Sequence, residues 1–408
     1  MSAVVTLVEE SLARGGFYVP RFEVRIEGVG LPDNVLRDVT QLTYKDNVKE
    51  IDSFELTVNN WDAAANDFKY VGAETAATLE QEPLHRLFEP CNKQVEVLMG
   101  YVDDLRVMVT GTFTTMEPNF PAGGAPTLTV RGLNVLHELR RKQYTTAWDE
   151  KTDSQIATEI AGLVDKETKK KRFPLPVEVN KEAAAAETRL TYVAQKNQYD
   201  IDFLLARARE RDYVIVIQEA DPEVPGSVKR LYFGPSHGAM APGLRDVTFE
   251  LEWGKSLIDF KPTLTTAKQV KSVTVNGWDR KAKQEIKETV TLDDPKLNIN
   301  KDLHEMLQKC DPREEHVVDE PVFTKDEARK RATALLLGQL KDMVKASGTT
   351  VGLPDLRAGK VVNIVGLGSR FSGSYFITET THTINASGYV TKFNARREDK
   401  KQQQAQGA

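Results

Sequence analysis

Cysteine is nearly absent: Cys91 and Cys310 are the two in 408 residues. Two thiols cannot form a disulfide framework, which fits synthesis in the reducing cytoplasm. No apolar run nears the roughly 18 residues needed to cross a bilayer, so membrane insertion is not expected. The opening MSAVVTLVEESLARGG has neither the basic start nor the long apolar segment of a secretory signal. Positive excess is missing too. The 55 Lys and Arg against 60 Asp and Glu leave a net charge of −5, which offers no basic face for nucleic acid. The one dense basic run, Lys166–Arg172, carries its own Glu167 and reads as a solvated loop.

Patterns that carry chemistry are missing as well. None of the six histidines forms a His-Glu-x-x-His motif, and the spacing of His304, Cys310 and His316 matches no zinc finger. Gly366-Leu-Gly368 lacks the third glycine of a dinucleotide fingerprint and lies between strands, so it reads as a hairpin turn. Ser236-His237 follows a strand but is not a nucleophile elbow. Trp61, Trp148, Trp253 and Trp278 read as core packing rather than sugar-stacking platforms. No catalytic, cofactor-binding or metal-ligating residue is expected, and no cofactor.

What is present is strand pattern. A chain of 408 residues exceeds one core. We divide it into an N-terminal arm (1–16), a first β-barrel domain (17–145), a small α+β domain (146–220), connecting strands (221–268), a second β-barrel domain (269–397) containing a helix (324–346), and a disordered tail (398–408). The first strand-rich region carries alternating or β-branched runs at 21–27, 39–44, 53–59, 94–99, 107–115 and 126–131. In the α+β domain Thr152 or Asp153 caps one helix, and Asp200–Asp212 forms another that runs into the strand Tyr213–Ile217. Thr324 and Glu327 form a capping box at the head of the clearest helix. The terminal segment Gly352–Arg397 holds three strands, 360–365, 375–384 and 389–395, separated by Gly, Ser and Asn turns.

Two short strings recur in order. Val58-Asn59-Asn60-Trp61-Asp62 matches Val275-Asn276-Gly277-Trp278-Asp279, and Gly111 and Phe113 match Gly373 and Tyr375. Each glycine precedes a last strand, the second of which starts at Gly388 and Tyr389. Asn and Gly tolerate the positive φ of tight turns, and the tryptophan after them can plug the sheet. The recurrence suggests a duplicated barrel. Nothing recurs at the roughly forty-residue period of a propeller.

These pieces resemble the tail hub proteins of contractile injection machines: phage late control protein D, the N-terminal part of VgrG, and hubs of extracellular injection systems. The resemblance is carried by DIDFLLARARERDYVIVI (200–217), SVTVNGWDRKAKQEI (272–286), EARKRATALL (327–336) and the terminal GLPDLRAGKVVNIVGLGSRFSGSYFITETTHTI with GYVTKF. It implies a mainly β fold with an α+β insertion, in which two related small barrels per chain form a trimeric ring. The implied function is a structural baseplate hub with pseudo-six-fold symmetry. It would join the hexameric tail tube to a separate trimeric spike, contact other baseplate proteins, and pass DNA or effector cargo through a central channel. No spike follows the second barrel in this sequence, hence the expectation of a separate one. The implied location is a virion tail or injection particle assembled after cytoplasmic synthesis, and the implied protein is not an enzyme. The alternative is a tail-associated module that binds or cleaves peptidoglycan.

Overall fold

A computed structural model describes residues 3–13, 19–72, 82–90, 93–102, 104–220, 225–236, 247–297, 299, 301–309, 313–318 and 322–398. Cys91, Cys310, His237 and the tail beyond Glu398 lie outside the described residues.

The chain opens with β1 (Ala3–Thr6) and α1 (Leu7–Ala13). Next come β2 (Pro20–Ile26), β3 (Val29–Gly30), α2 (Asp33–Asp38), β4 (Val39–Asn47) and β5 (Ser53–Asn59). A small hairpin of β6 (Trp61–Asp62) and β7 (Asp67–Phe68) precedes α3 (Glu82–His85), β8 (Gln94–Tyr101), β9 (Asp104–Asn119) and β10 (Thr127–Asn134). A middle module follows: β11 (Gln143–Lys151), α4 (Asp153–Gly162), β12 (Val177–Val179), α5 (Lys181–Ala186), β13 (Leu190–Tyr199), α6 (Asp200–Glu210), β14 (Tyr213–Gln218) and β15 (Arg230–Pro235). After β16 (Val247–Glu252) and β17 (Leu257–Leu264) come β18 (Val270–Asp279), β19 (Gln284–Thr291), α7 (Lys301–Lys309), β20 (Arg313–Val317) and α8 (Lys325–Lys341). The last elements are β21 (Val344–Val351), β22 (Val361–Val365), α9 (Gly368–Phe371), β23 (Gly373–Asn385) and β24 (Gly388–Arg397).

Fourteen of these strands share one sheet, and that sheet contains the same pattern twice. In the first copy the order is β4-β5-β10-β9-β8, and in the second it is β17-β21-β24-β23-β22. Every neighbouring pair in both runs is antiparallel. The bulges coincide. Thr40 is the extra residue opposite β5 and Ile258 the extra residue opposite β21. Thr114 bulges against β10 and Thr378 against β24. Each of these two threonines donates its hydroxyl across the bulge, to the carbonyl of Arg131 and of Asn394 respectively. A cross-sheet row Thr43–Glu55–Arg131–Thr115 in one copy thus corresponds to Lys261–Ser347–Asn394–Glu379 in the other. Bulges fix register, so matched bulges make the duplication a property of the fold.

A sixth strand adds at the same place in each copy but in opposite senses: β2 is antiparallel to β8, and β16 is parallel to β22. Neither copy closes on itself by strand pairing among the described residues. The expected closed barrels are instead two open sheets, each with its own apolar core.

The strand pairing divides residues 269–397 differently from the sequence-based boundaries. β18, β19 and β20 form a separate three-stranded sheet packed on α8, inserted between β17 and β21. The α+β module reaches β15, because Leu231 and Phe233 complete its core with Leu136, Ile156, Ile201 and Phe203. The capping boxes at Thr152–Gln155 and Thr324–Glu327 both form. The second helix ends at Lys341, short of the expected 346, since from Val344 the burial alternates and the segment pairs as a strand between β17 and β24. No helix among the described residues is long and apolar enough to cross a membrane.

Candidate functional site

The two copies meet strand to strand. β4 of the first lies antiparallel on the distal half of β23 of the second, from Asn47 opposite Glu379 to Gln41 opposite Asn385. Leu42, Tyr44 and Asp46 on one side, and Thr380, His382 and Ile384 on the other, are buried. Alternation places this face inward by the period of two.

A charged residue holds the seam. Arg357, in the loop before β22, donates from Nε to Asp46 at 2.8 Å and from its NH2 group to the Met108 carbonyl at 2.8 Å and to the Tyr44 hydroxyl. Asp46 also accepts from the Ala358 amide at 3.1 Å and from the Thr380 hydroxyl. Burial alone would weaken the guanidinium's hold on its proton, but Tyr44 and Asp46 reverse that and raise it. Nearby Asp52 accepts from Asn134 Nδ2 at 2.6 Å and from the Asn47 amide at 3.1 Å. Its burial, reinforced by the Asp46 charge, raises its pKa to about 7.

His382 forms the other half of the seam. Its Nε2 lies 3.1 Å from the Leu356 carbonyl, and its Nδ1 lies 3.0 Å from the Tyr389 hydroxyl and 3.1 Å from Thr391 Oγ1. A carbonyl only accepts, so Nε2 carries the proton and Nδ1 accepts from a hydroxyl. Full burial lowers the imidazole pKa to about 4. Tyr389 packs, tilted by 39° with ring centroids 5.8 Å apart, against Tyr101 of the first copy, whose hydroxyl donates to the Gly352 carbonyl at 2.9 Å.

A second charged cluster ties the remaining modules to the second copy. Lys341 of α8 pairs with Asp212 at 2.5 Å, Arg396 with Glu398 at 2.7 Å, and Ser236 donates to Glu398 at 2.8 Å.

The residues expected to mark the repeat have different fates. Gly388, at φ +115°, makes the β23–β24 turn, where a left-handed backbone favours glycine. Gly111 sits against β10 so closely that a Cβ would lie 1.9 Å from the Leu133 carbonyl oxygen. The matched bulges align Gly111 with Tyr375 and Phe113 with Ile377, two residues away from the expected Gly111–Gly373 and Phe113–Tyr375 matches. Phe113, Tyr375 and Tyr389 are all buried.

The tryptophan strings are not equivalent in the fold. Asn59 ends β5 of the first copy and corresponds by register to Val351, whereas Asn276 and Trp278 lie in the inserted sheet. What they share is turn chemistry. Asp62 accepts from the amides of Ala64 and Ala65, and Asp279 from those of Lys281 and Ala282, which lowers both carboxylate pKa values. Asn59 Oδ1 also accepts from the Trp61 amide at 3.3 Å, while Asn276 Oδ1 is buried without a partner. Trp253 and Trp278 are 62% and 53% exposed, against the expected core role, and only Trp148 is buried.

Arg357, Asp46 and Asp52 escaped the sequence pattern because a long-range ion pair leaves no local spacing.

A family model described as the Alg8 N-terminal domain matches residues 18–386. Among solved structures, a tail protein from Neisseria meningitidis MC58 shares the fold with a TM-score of 0.62 at 13% identity, over 95% of this chain and 99% of that one. The 43 kDa tail protein of prophage MuSo2 from Shewanella oneidensis aligns with a TM-score of 0.61 at 14% identity, over 94% and 99%. An E. coli component of the type VI secretion system, described as structurally similar to T4 bacteriophage tail proteins, aligns with a TM-score of 0.52 at 10% identity, over 93% of this chain and 77% of that one. At such identities the likeness is one of fold. Curated protein sequences gave no match. The chain belongs to the Alg8 N-terminal domain family.

Proposed function

We propose that this protein is the structural hub of a contractile tail or injection-system baseplate. Three chains carry six sheet copies around a central channel, so the ring meets the hexameric tail tube on one face. The three-fold repeat of the whole chain meets a trimeric spike on the other. The observation that carries this is the internal duplication with matched bulges. A chain with two copies of one sheet can present pseudo-six-fold surfaces while remaining a closed cyclic trimer. The fold shared with tail proteins along nearly their whole length supports the same role. Its partners are then tube, spike and other baseplate proteins. It has no catalytic task, DNA or effector cargo passes through the channel, and the place of action is a virion tail or injection particle.

Light scattering on the purified chain, alone and with its spike protein, tests this. The expected mass is three times the 45.7 kDa chain, alone or once the spike is added. A chain that stays monomeric in both conditions and cleaves peptidoglycan would instead be a wall-acting module.

A further inference from the structure

The inserted module of β18, β19, β20 and α8 is tied to the second copy at one place. The chain leaves that copy after Leu264 and returns at Val344, two residues that pair with each other as the last rung of β17 on β21. Just beyond this rung the Thr265 amide donates to the Met343 carbonyl at 2.9 Å. Entry and exit therefore form a two-strand stalk. Only the short connections 265–269 and 342–343 separate it from the module's own elements.

Packing makes the module independent. Its hydrophobic core shares Leu264, at the stalk, with the second copy, and among the described residues it shares none with the α+β core. Yet α8 lies alongside the α+β module, with a cleft of about 300 Å³ between them. Leu190 and Tyr213 on one wall belong to the α+β core, and Val322 and Leu337 on the other to the inserted core. Domains whose interface is not large and hydrophobic are expected to move relative to one another.

Polar contacts span the cleft towards both ends of α8, and the two ends differ. At the C-terminal end, beside the stalk, the buried Lys341 pairs with Asp212 at 2.5 Å and lies 3.8 Å from Glu398. Towards the N-terminal end Lys330 Nζ donates to Thr188 Oγ1 at 2.6 Å, and Thr188 Oγ1 donates to Asp326 at 3.2 Å. Arg331 donates to the Glu210 carbonyl at 2.9 Å. Lys330 lies about 17 Å along the helix from Lys341. The Lys330 and Asp326 side chains are 47% and 63% exposed. Breaking a buried charge pair is costly, whereas exposed polar contacts hold weakly.

We propose that the inserted module is a hinged arm, turning on the Leu264–Val344 stalk and the Lys341–Asp212 pair. Lys330 and Arg331 are the catch that holds it against the α+β module. Releasing the catch swings the head of α8 outward and opens the cleft to water, while both cores stay intact. Such a hinge needs only a few element-terminal residues to change their backbone angles. The arm belongs to a single chain and does not depend on the ring proposed above.

Nitroxide labels placed across the cleft test this. The full chain carries Cys91→Ala and Cys310→Ala, with Glu182→Cys on α5 and Lys325→Cys at the head of α8, both exposed positions. An excess of unlabelled chain keeps distances between chains out of the measurement. Glu182→Cys with Ala206→Cys, both within the α+β module, is the control pair. Pulsed electron resonance is expected to show a main distance across the cleft and a minor, longer one. Removing the catch with Lys330→Ala and Arg331→Ala should raise the longer population by about threefold or more, because two weak polar contacts are lost. The control pair should not change. Ala334→Leu adds apolar volume between the walls and should lower the longer population. One narrow distance common to the parent and both variants would overturn the hinge. So would a control pair that broadens together with the cleft pair, because the catch would then be part of the α+β fold itself.

Discussion

Replacing Arg357 with alanine is expected to destabilise the seam by about 3–5 kcal/mol, because it strands the buried Asp46 carboxylate without its cation. Asp46 is 5% exposed. Its remaining donors, the Ala358 amide and the Thr380 hydroxyl, are neutral and cannot replace a guanidinium that reaches Asp46, Tyr44 and Met108 at once. The loss should appear as a lower urea midpoint for the transition that includes both sheet copies, with the α+β module following its own transition. A double variant, Arg357→Met with Asp46→Asn, should recover much of the loss, since no lone charge stays buried. An Arg357→Ala protein that unfolds at the parent's midpoint would show that the ion pair does not hold the copies together.

Acid should loosen the same seam through His382. The folded chain keeps this imidazole neutral down to about pH 4 because the ring is buried, whereas an unfolded chain takes up the proton near pH 6.5. The stabilisation is therefore complete above pH 6.5 and is lost as pH falls through 4, amounting to about 3 kcal/mol over that window. Asp52 works in the opposite direction. Burial and Asp46 raise its pKa to about 7, so its penalty is relieved as pH falls through the same range. The two partly offset in the parent, and the informative quantity is the difference between parent and His382→Gln. That difference should favour the parent at pH 7 and shrink by about 3 kcal/mol at pH 4. Parallel stability curves for the two proteins would exclude His382 as the acid-sensitive group.

Much of this architecture was legible in the chain. Period-two burial and turn residues located β2, β4, β5, β8, β10, β22, β23 and β24 within a few residues. The Thr152 and Thr324 caps located two helices. The duplication was legible too, but through the wrong letters. Asp62 and Asp279 fold their backbones alike because an aspartate accepting two amides makes the same turn in any sheet. The true correspondence, Thr114 with Thr378 and Thr40 with Ile258, sits in bulges defined by backbone register, and only the first pair shares a residue type. The inserted module β18–β20 with α8 was merged with the second copy because nothing in its composition announces which sheet its strands join. That choice is made by long-range pairing, which separates β17 from its partner β21 by an entire domain.

The central claim is that two copies of one sheet per chain become six around a ring. Electron cryomicroscopy of the assembled protein viewed down the channel tests it most directly. The account predicts a closed ring of three chains whose end-on projection shows six-fold modulation at low resolution and three-fold symmetry at high resolution. A two-fold dimer, or three chains whose sheet copies do not alternate around one channel, would contradict it.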